Sequence, residues 1–302
     1  MAILHKLGED FPTTEFVGGI FPRKHISIIA AKAGVGKTWY ILKLITDLSK
    51  GGTIFNNQAY YEPKRNSLIF CGETGLALLN ERQRMMHDKA DYDKIHMVSK
   101  LEAARDKEFI DLDTKEGLSI IYKTIDTLIP DIPDIIVFDT LISFRSIDES
   151  DQKSTTLLMS RLQALAERFN CAVILTHHLR KSSNGDTNQR IDQDEIVGSS
   201  ALVRQCGNAF ILRNVGFEIK QLACVKAWWE IPKAITYRMY REAGEIYFEE
   251  ALANDDMTER RLELQKFLKE TPQENWPSYN ELGTKFKIPK ATVGRICQKI
   301  VS

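Results

Sequence analysis

Short apolar runs recur along the first 250 residues, and several of them end in a polar or acidic residue. Continuous apolar runs are typical of parallel strands that helices cover on both faces. The amphipathic segment 115–129 has the spacing of a helix that crosses over such a sheet. The runs that predict strands are 25–30, 67–71, 94–99, 135–139, 171–176, 208–213, 220–227 and 234–240. The pattern predicts an α/β fold with a mostly parallel central sheet covered by helices.

The segment 31–38 follows the first predicted strand and reads Ala-Lys-Ala-Gly-Val-Gly-Lys-Thr. The segment 39–48 behind it has apolar residues at helical spacing, which gives the strand, loop and helix context that a Walker A phosphate loop requires. The backbone N–H groups of such a loop and of the helix N-terminus point at phosphate oxygens. ATP is the expected ligand, with contacts from Ala33, Gly34, Val35, Gly36, Lys37, Thr38 and Trp39.

Side chains of this loop predict magnesium-dependent chemistry. Lys37 supplies a positive charge to the β- and γ-phosphates, and the Thr38 hydroxyl is a ligand for Mg²⁺. Asp139 ends the apolar run 135–138, as a Walker B acid that holds the same ion does. Ala31 stands where the motif usually has its first glycine, but alanine keeps the backbone donor, so we expect the loop to form.

Glu73 follows the strand 67–71 in the sequence Gly72-Glu73-Thr74. Ligands of open parallel sheets bind at the carboxyl ends of the strands, and we expect this strand to lie beside the phosphate-loop strand. The Glu73 carboxylate is therefore a candidate to orient the water that attacks the γ-phosphate. On spacing alone, a solvated loop carboxylate is the alternative.

His177 and His178 follow the apolar run 171–176. A histidine at this edge can hydrogen-bond the γ-phosphate and transmit its loss to the loop that follows. A metal site is the alternative interpretation. Neighbouring residues of an extended segment point in opposite directions and seldom bind one ion, so we favour the phosphate role.

Polar segments follow both of these strands, at 141–153 and 180–197. A basic loop in this position can line a channel for single-stranded nucleic acid. The second segment has three basic and four acidic residues, so an ordinary mobile surface loop is the alternative. The candidate contacts to a single strand are Arg145, Arg180, Lys181 and Arg190.

The 302 residues, of which 43% are hydrophobic, suffice for one large domain and a small appendage. No apolar run approaches the ~18–20 residues of a membrane span, and no secretory pattern opens the chain, so we expect a cytoplasmic protein. The five cysteines include no Cys-x-x-Cys pair. We expect them to be reduced and expect no structural zinc.

The 41 basic and 41 acidic residues balance, but their distribution is uneven. Residues 258–302 carry nine Lys or Arg against five Asp or Glu, a net charge of +4. The predicted organisation is an ATPase domain over 1–250, an acidic linker over 251–257 and a basic helical module over 258–302.

The module has the pattern of a helix-turn-helix. A helix is expected from Thr258 to about Glu270, followed by a loop and two short helices, the second beginning at Lys290. In this interpretation Lys290, Thr292 and Arg295 face the major groove of duplex DNA. Helix-turn-helix geometry also serves protein contacts, which is the alternative.

Taken in order, these motifs resemble RecA-type ATPases of the hexameric helicase branch, most closely the RepA-like plasmid replicative helicases. The resemblance covers about residues 15–250. The residues that carry it are Pro22, the loop 31–38, Gly72-Glu73-Thr74, Asp139-Thr140-Leu141, Thr176-His177-His178 with Arg180-Lys181, Gly198-Ser199-Ser200-Ala201 and Val225-Lys226-Ala227.

The resemblance implies that Glu73 is the catalytic carboxylate and His177 the γ-phosphate sensor. It implies a ring, hexameric in that branch, with the loops 143–153 and 180–197 facing its central hole. It also implies a basic residue that reaches the neighbouring subunit's nucleotide. Lys226 is the first choice, with Lys220 and Arg213 as alternatives, because Ala-Trp-Trp follows Lys226 where related ATPases often have Lys-x-Arg.

Two function classes fit these observations. The first is an ATP-driven ring motor acting on single-stranded DNA. The second is an ATP-dependent regulator that uses residues 258–302 on duplex DNA without unwinding it. A strand-exchange recombinase is a weaker third class, because no N-terminal helical module of that kind is evident in the sequence.

Overall fold

The computed structural model describes residues 13–148, 151–179, 196, 200–216, 218–251, 255–288 and 290–301. The strands are β1 (Phe16–Val17), β2 (Phe21–Pro22), β3 (Ile26–Ala31), β4 (Gly52–Ile54), β5 (Asn57–Glu62), β6 (Ser67–Cys71), β7 (Ile95–Ser99), β8 (Ile135–Asp139), β9 (Ala172–His178), β10 (Asn208–Asn214), β11 (Ile219–Ala227), β12 (Ile235–Glu242) and β13 (Glu245–Glu250). The helices are α1 (Lys37–Lys50), α2 (Leu76–Met85), α3 (Lys100–Arg105), α4 (Lys115–Asp126), α5 (Gln152–Arg168), α6 (Ser200–Gln205), α7 (Asp255–Glu270), α8 (Tyr279–Lys285) and α9 (Lys290–Val301).

A nine-stranded sheet organises the described residues, in the order β13-β12-β11-β10-β3-β9-β8-β6-β7. The six strands from β10 to β7 are parallel, and β11, β12 and β13 continue the sheet as antiparallel neighbours. The parallel strands are the apolar runs of the sequence, buried on both faces as their composition requires. The predicted α/β fold with a mostly parallel sheet is confirmed.

The strand order corrects one expectation about the phosphate loop. Strands β9 and β8 lie between β3, which leads into the loop, and β6, which leads into Glu73. Glu73 therefore reaches the site from the third strand along the sheet rather than from a direct neighbour of β3. The carboxyl ends of all these strands still meet at one edge, because the strands are parallel.

Helices cover the two faces of the sheet with separate apolar clusters. One cluster contains residues of α1, α2 and the β4–β5 hairpin. The other contains residues of α4, α5 and α6. The side chain of Thr114 caps α4 by accepting a hydrogen bond from the Gly117 N–H at 3.0 Å, so the predicted crossover helix begins at residue 115 and ends at residue 126.

Helices α7, α8 and α9 pack around a small apolar cluster of their own. The buried members are Leu264, Leu268, Leu282, Ile288, Val293, Ile296 and Cys297. Ser278 and Glu281 form a capping box at the start of α8. Helix α7 begins at Asp255, three residues before the predicted cap at Thr258, so that expectation is wrong. None of the described helices combines the length and apolar character of a membrane span.

A buried ion pair ties the first helix to the β4–β5 hairpin. Lys43 is fully buried and donates to the carboxylates of Asp47 and Asp88, each at 2.7 Å. Asp47 is 3% exposed and also accepts a hydrogen bond from the Phe55 N–H at 2.8 Å. Buried charges are stabilised only when such partners are present. This network therefore fixes the distal half of the helix that begins at the phosphate loop.

The variant Asp47→Ala should lower the free energy of unfolding by about 2–3 kcal/mol, because it removes a carboxylate from a buried lysine and leaves the Phe55 N–H unpaired. Urea unfolding followed by circular dichroism measures the change. The exposed pair of Asp126 and Arg168 supplies the control, since Asp126→Ala should cost less than about 1 kcal/mol. Equal losses in the two variants would contradict the importance of the buried network.

Candidate nucleotide-binding and hydrolysis site

The segment 31–38 forms the connection between β3 and α1, as the Walker A pattern predicts. Gly34 and Gly36 have φ angles of 76° and 106°, in the region that only glycine adopts readily. Gly36 precedes the first residue of α1, and its carbonyl accepts a hydrogen bond from the Tyr40 N–H at 3.0 Å. Ala33 and Gly34 are exposed, so the loop presents backbone to solvent where a phosphate would bind.

Trp39 follows this loop on the first turn of α1. Its indole is partly buried against the apolar cluster of that face, and the Arg82 guanidinium lies 5.8 Å from the ring centroid. Trp39 therefore closes one side of the loop.

Lys37 is 8% exposed and lies inside the site. Its Nζ is 3.4 Å from the Ala31 carbonyl oxygen and 3.5 Å from Nδ1 of His178. Burial lowers the pKa of Lys37, while the carboxylates of Asp139 and Glu73 oppose that shift. Asp139 and Glu73 are therefore close enough to act on the charge that the motif assigns to the β- and γ-phosphates.

Asp139 joins three elements at this edge of the sheet. Its Oδ2 accepts a hydrogen bond from the Thr38 hydroxyl at 2.8 Å, and its Oδ1 accepts one from the Thr176 hydroxyl at 2.5 Å. A hydroxyl and a carboxylate in contact suit Mg²⁺, which takes oxygen ligands and is usually held by one or two carboxylates together with substrate phosphates. Within the described residues, no group of three or more His, Cys, Asp or Glu side chains forms a metal site without substrate.

Glu73 lies at the same edge and is exposed to solvent. Its Oε1 accepts a hydrogen bond from the Thr140 hydroxyl at 2.8 Å, and the Ser143 hydroxyl lies 3.5 Å away. Gly72 lets the chain pass close to that turn, because a Cβ at Gly72 would lie 2.1 Å from Cβ of Ser143. The Glu73 carboxylate is thus oriented toward the residue that follows Asp139, rather than left as a free loop carboxylate.

The two histidines at the end of β9 point to opposite faces of the sheet. Thr176 and His178 share the face that carries Asp139 and Lys37, whereas His177 is 1% exposed on the other face. The residue beside Lys37 is therefore His178, and the assignment of the sensor role to His177 is wrong. The alternation of side chains along a strand, counted from the Asp139 partner Thr176, would have identified it.

Arg145 does not face a channel in this structure. Its side chain is 2% exposed, and its guanidinium forms an ion pair with Asp113, Nε to Oδ2, at 3.2 Å. It also donates to the hydroxyls of Ser154 and Thr155. The expectation that Arg145 contacts a nucleic-acid strand is corrected, because these partners hold it inside the fold. The candidates Arg180, Lys181 and Arg190 lie outside the described residues.

The three candidates for a trans-acting cation occupy different places. Lys220 contacts its own phosphate loop, with Nζ 2.7 Å from the Val35 carbonyl oxygen, so it is not available to a neighbouring subunit. Arg213 donates to the Gln221 side chain at 2.8 Å. Lys226 lies at the other end of β11 from Lys220, and its Nζ donates to the carbonyls of Arg204 and Cys206.

On α9, Lys290 and Arg295 are exposed and Thr292 is partly buried. All three are therefore on a helix, as predicted, and none of them lies at the nucleotide site described above.

Three comparisons with known proteins place this arrangement. The family model described as an AAA domain matches residues 6–184, which include the phosphate loop, Glu73, Asp139 and His178. The chain belongs to this family. No curated protein sequence matches it.

Two solved structures share the fold of this AAA domain protein. The ATPase domain of one DnaB-like replicative helicase superposes with a TM-score of 0.54 at 14% identity, covering 76% of this chain and 86% of that one. A second DnaB-like replicative helicase, solved in a study of its interactions with primase, gives a TM-score of 0.55 at 14% identity. The match covers 74% of this chain and 57% of that helicase. The sheet therefore has the RecA-like fold of replicative helicase ATPase domains, and with the Walker residues assembled this family member is an ATPase.

Replacement of His178 should affect hydrolysis, whereas replacement of His177 should affect stability. His178→Gln is expected to lower kcat for ATP by about 10-fold or more, because one contact beside Lys37 is lost. His177→Gln should keep kcat within about threefold and lower the melting temperature instead, since that side chain is buried on the other face. Steady-state ATP hydrolysis and thermal unfolding of both variants test the assignment, which is wrong if the two kcat values change places.

Proposed function

We propose that this protein is an ATP-driven, ring-forming motor that acts on single-stranded DNA, as a replicative DNA helicase of the RepA-like type. The contact of Thr38 with Asp139 at 2.8 Å, next to Glu73 and Lys37, carries the proposal, because it assembles a hydrolysis site rather than a binding loop alone. The fold shared with the ATPase domain of a replicative helicase supports the helicase class.

Each residue of the site has a distinct task in hydrolysis. The loop N–H groups and Lys37 bind the phosphates and hold the γ-phosphate in place. Glu73 orients and polarises the attacking water, and the Thr140 hydroxyl fixes the carboxylate by donating to it at 2.8 Å. Thr38 and Asp139 are the residues that would hold Mg²⁺, which when bound neutralises charge on the β- and γ-phosphates.

Loss of the γ-phosphate is proposed to move the chain that follows β8 and β9. Asp139 and His178 are the last residues of these strands, and both belong to the site. The segments beyond them begin at Thr140 and Leu179, so a change at the γ-phosphate acts first on their starting points. In a ring these segments are proposed to face the bound single strand.

Lys226 is the proposed trans-acting residue, in a homo-oligomer that we propose to be a hexamer. It lies six residues along β11 from Lys220, which corresponds to about 20 Å at the rise of a strand. Its own phosphate loop is therefore out of reach. Burial lowers the pKa of Lys226, and the Trp228 ring lies 4.8 Å from its Nζ. A cation of this kind stabilises the charge that develops on a transferred phosphoryl group.

The variant Glu73→Gln should retain nucleotide binding and lower kcat by about 10²- to 10⁴-fold, because the amide keeps the shape of the side chain but cannot polarise water. Calorimetric titration with a non-hydrolysable ATP analogue and steady-state hydrolysis measure the two quantities. Glu81→Gln is the matched control, since Glu81 is an exposed carboxylate on α2. A Glu73→Gln protein that hydrolyses ATP at the wild-type rate would remove Glu73 from the reaction.

A second candidate function is an ATP-dependent regulator that binds duplex DNA. The exposed Lys290 and Arg295 on α9 favour it, because α8 and α9 are short consecutive helices, the arrangement a helix-turn-helix requires. The buried position of Arg145 also removes one of the residues assigned to a single-strand channel. In this case hydrolysis would set the assembly state and would not drive movement along DNA.

The full-length double variant Lys290→Glu, Arg295→Glu should separate the two functions. For a motor, stimulation of ATP hydrolysis by single-stranded DNA and unwinding should remain within about twofold of wild type, while duplex binding falls. Fluorescence anisotropy with both DNA forms and an unwinding assay measure these properties.

The control is Lys107→Glu, Lys115→Glu, which makes the same charge change at exposed positions of the ATPase domain. Wild-type protein that shows neither stimulation by single-stranded DNA nor unwinding would leave the regulator as the function.

A further inference from the structure

Lys220 is a buried lysine that the Walker motif does not include. It is the second residue of β11 and is 8% exposed. Its Nζ donates to the Val35 carbonyl oxygen at 2.7 Å and to Oδ1 of Asn214 at 2.9 Å. The chain thus brings a second positive charge, 185 residues away in sequence, against the middle of the phosphate loop.

The oxygens that accept hydrogen bonds from this ammonium group are both neutral. Burial lowers the pKa of Lys220, and no charged group of the described residues contributes to that shift. A buried lysine without a carboxylate is costly, and proteins that keep one usually use its charge. The charge that is missing at this place is an anion.

The contact with Val35 also determines where the next backbone donor points. In a trans peptide unit the carbonyl and the N–H lie on opposite sides. Because Lys220 holds the Val35 carbonyl on its own side, the N–H of Gly36 is directed to the opposite side of the loop. Gly36 lies directly against this lysine, since a Cβ at Gly36 would be 3.6 Å from Cε of Lys220.

We infer that Lys220 is a positioning residue of the phosphate site, which fixes the Gly36 N–H as a donor to the β-phosphate and places an unpaired positive charge behind it. The inference rests on the nucleotide site proposed above. It assigns Lys220 to its own subunit's nucleotide and leaves the trans role to another residue.

The ligand class follows from the position of Gly36 in the loop. Amides in the middle of a Walker A loop contact the α- and β-phosphates, whereas Lys37 reaches the β- and γ-phosphates. Lys220 should therefore support the diphosphate part that ADP and ATP share. The hydrolysis step depends on Glu73 at the γ-phosphate and should be almost independent of Lys220.

The test compares nucleotide affinity with turnover in Lys220→Met, which keeps the length of the side chain without its charge or donors. Calorimetric titration should show affinities for ADP and for a non-hydrolysable ATP analogue that both fall by about 10- to 100-fold. The kcat at saturating ATP should stay within about threefold of wild type. Lys233→Met is the matched control, because Lys233 is an exposed lysine between β11 and β12.

Affinities of Lys220→Met within about twofold of wild type would overturn the inference. A fall in kcat as large as the loss of affinity would also overturn it, because it would assign Lys220 to the hydrolysis step. If Lys220→Met does not fold, as judged by thermal unfolding without nucleotide, Lys220→Gln is measured against the same limits. Wild-type protein that binds neither nucleotide would instead contradict the proposed ATPase site itself.

Discussion

The hydrogen bond between Thr38 and Asp139 is the interaction on which the site depends. It joins the first turn of α1 to the end of β8 across 101 residues of sequence, and Thr176 joins β9 to the same carboxylate. A buried carboxylate requires such donors, because it has lost its water. The parallel sheet makes the contact possible, since it brings the carboxyl ends of its strands to one edge. The fold and the chemistry are therefore connected at a single residue.

The electrostatics of this edge are arranged for a polyanion. Lys37 and Lys220 are each 8% exposed, and they lie on the phosphate loop and behind it. Burial lowers the pKa of both, but only Lys37 has nearby carboxylates that oppose the shift. A nucleoside triphosphate supplies negative charge to both lysines at once. Binding of nucleotide and completion of the electrostatic environment are thus the same event, which is how phosphate sites gain affinity without new side chains.

Local sequence patterns predicted the strands and the phosphate loop well, but contacts between distant residues were not accessible to them. The run 67–71 is β6 and the run 135–139 is β8, because a strand buried on both faces is apolar throughout. Arg145 was misassigned because its partner Asp113 lies 32 residues earlier in the chain. His177 was chosen over His178 because the motif does not state which face of β9 carries Asp139. Lys220 and Val35 are separated by 185 residues, and no local pattern relates them.

Burial and contacts decide among the cations that sequence reasoning left open. A residue that acts on a neighbouring subunit must be free of its own phosphate loop, and Lys220 is not. Arg213 is engaged with Gln221 on the adjacent strand. Lys226 is bonded to carbonyls at the end of α6, at the edge of the sheet opposite its own nucleotide site. The two lysines of β11 therefore belong to different ends of one rigid strand, so a change in one can be separated experimentally from a change in the other.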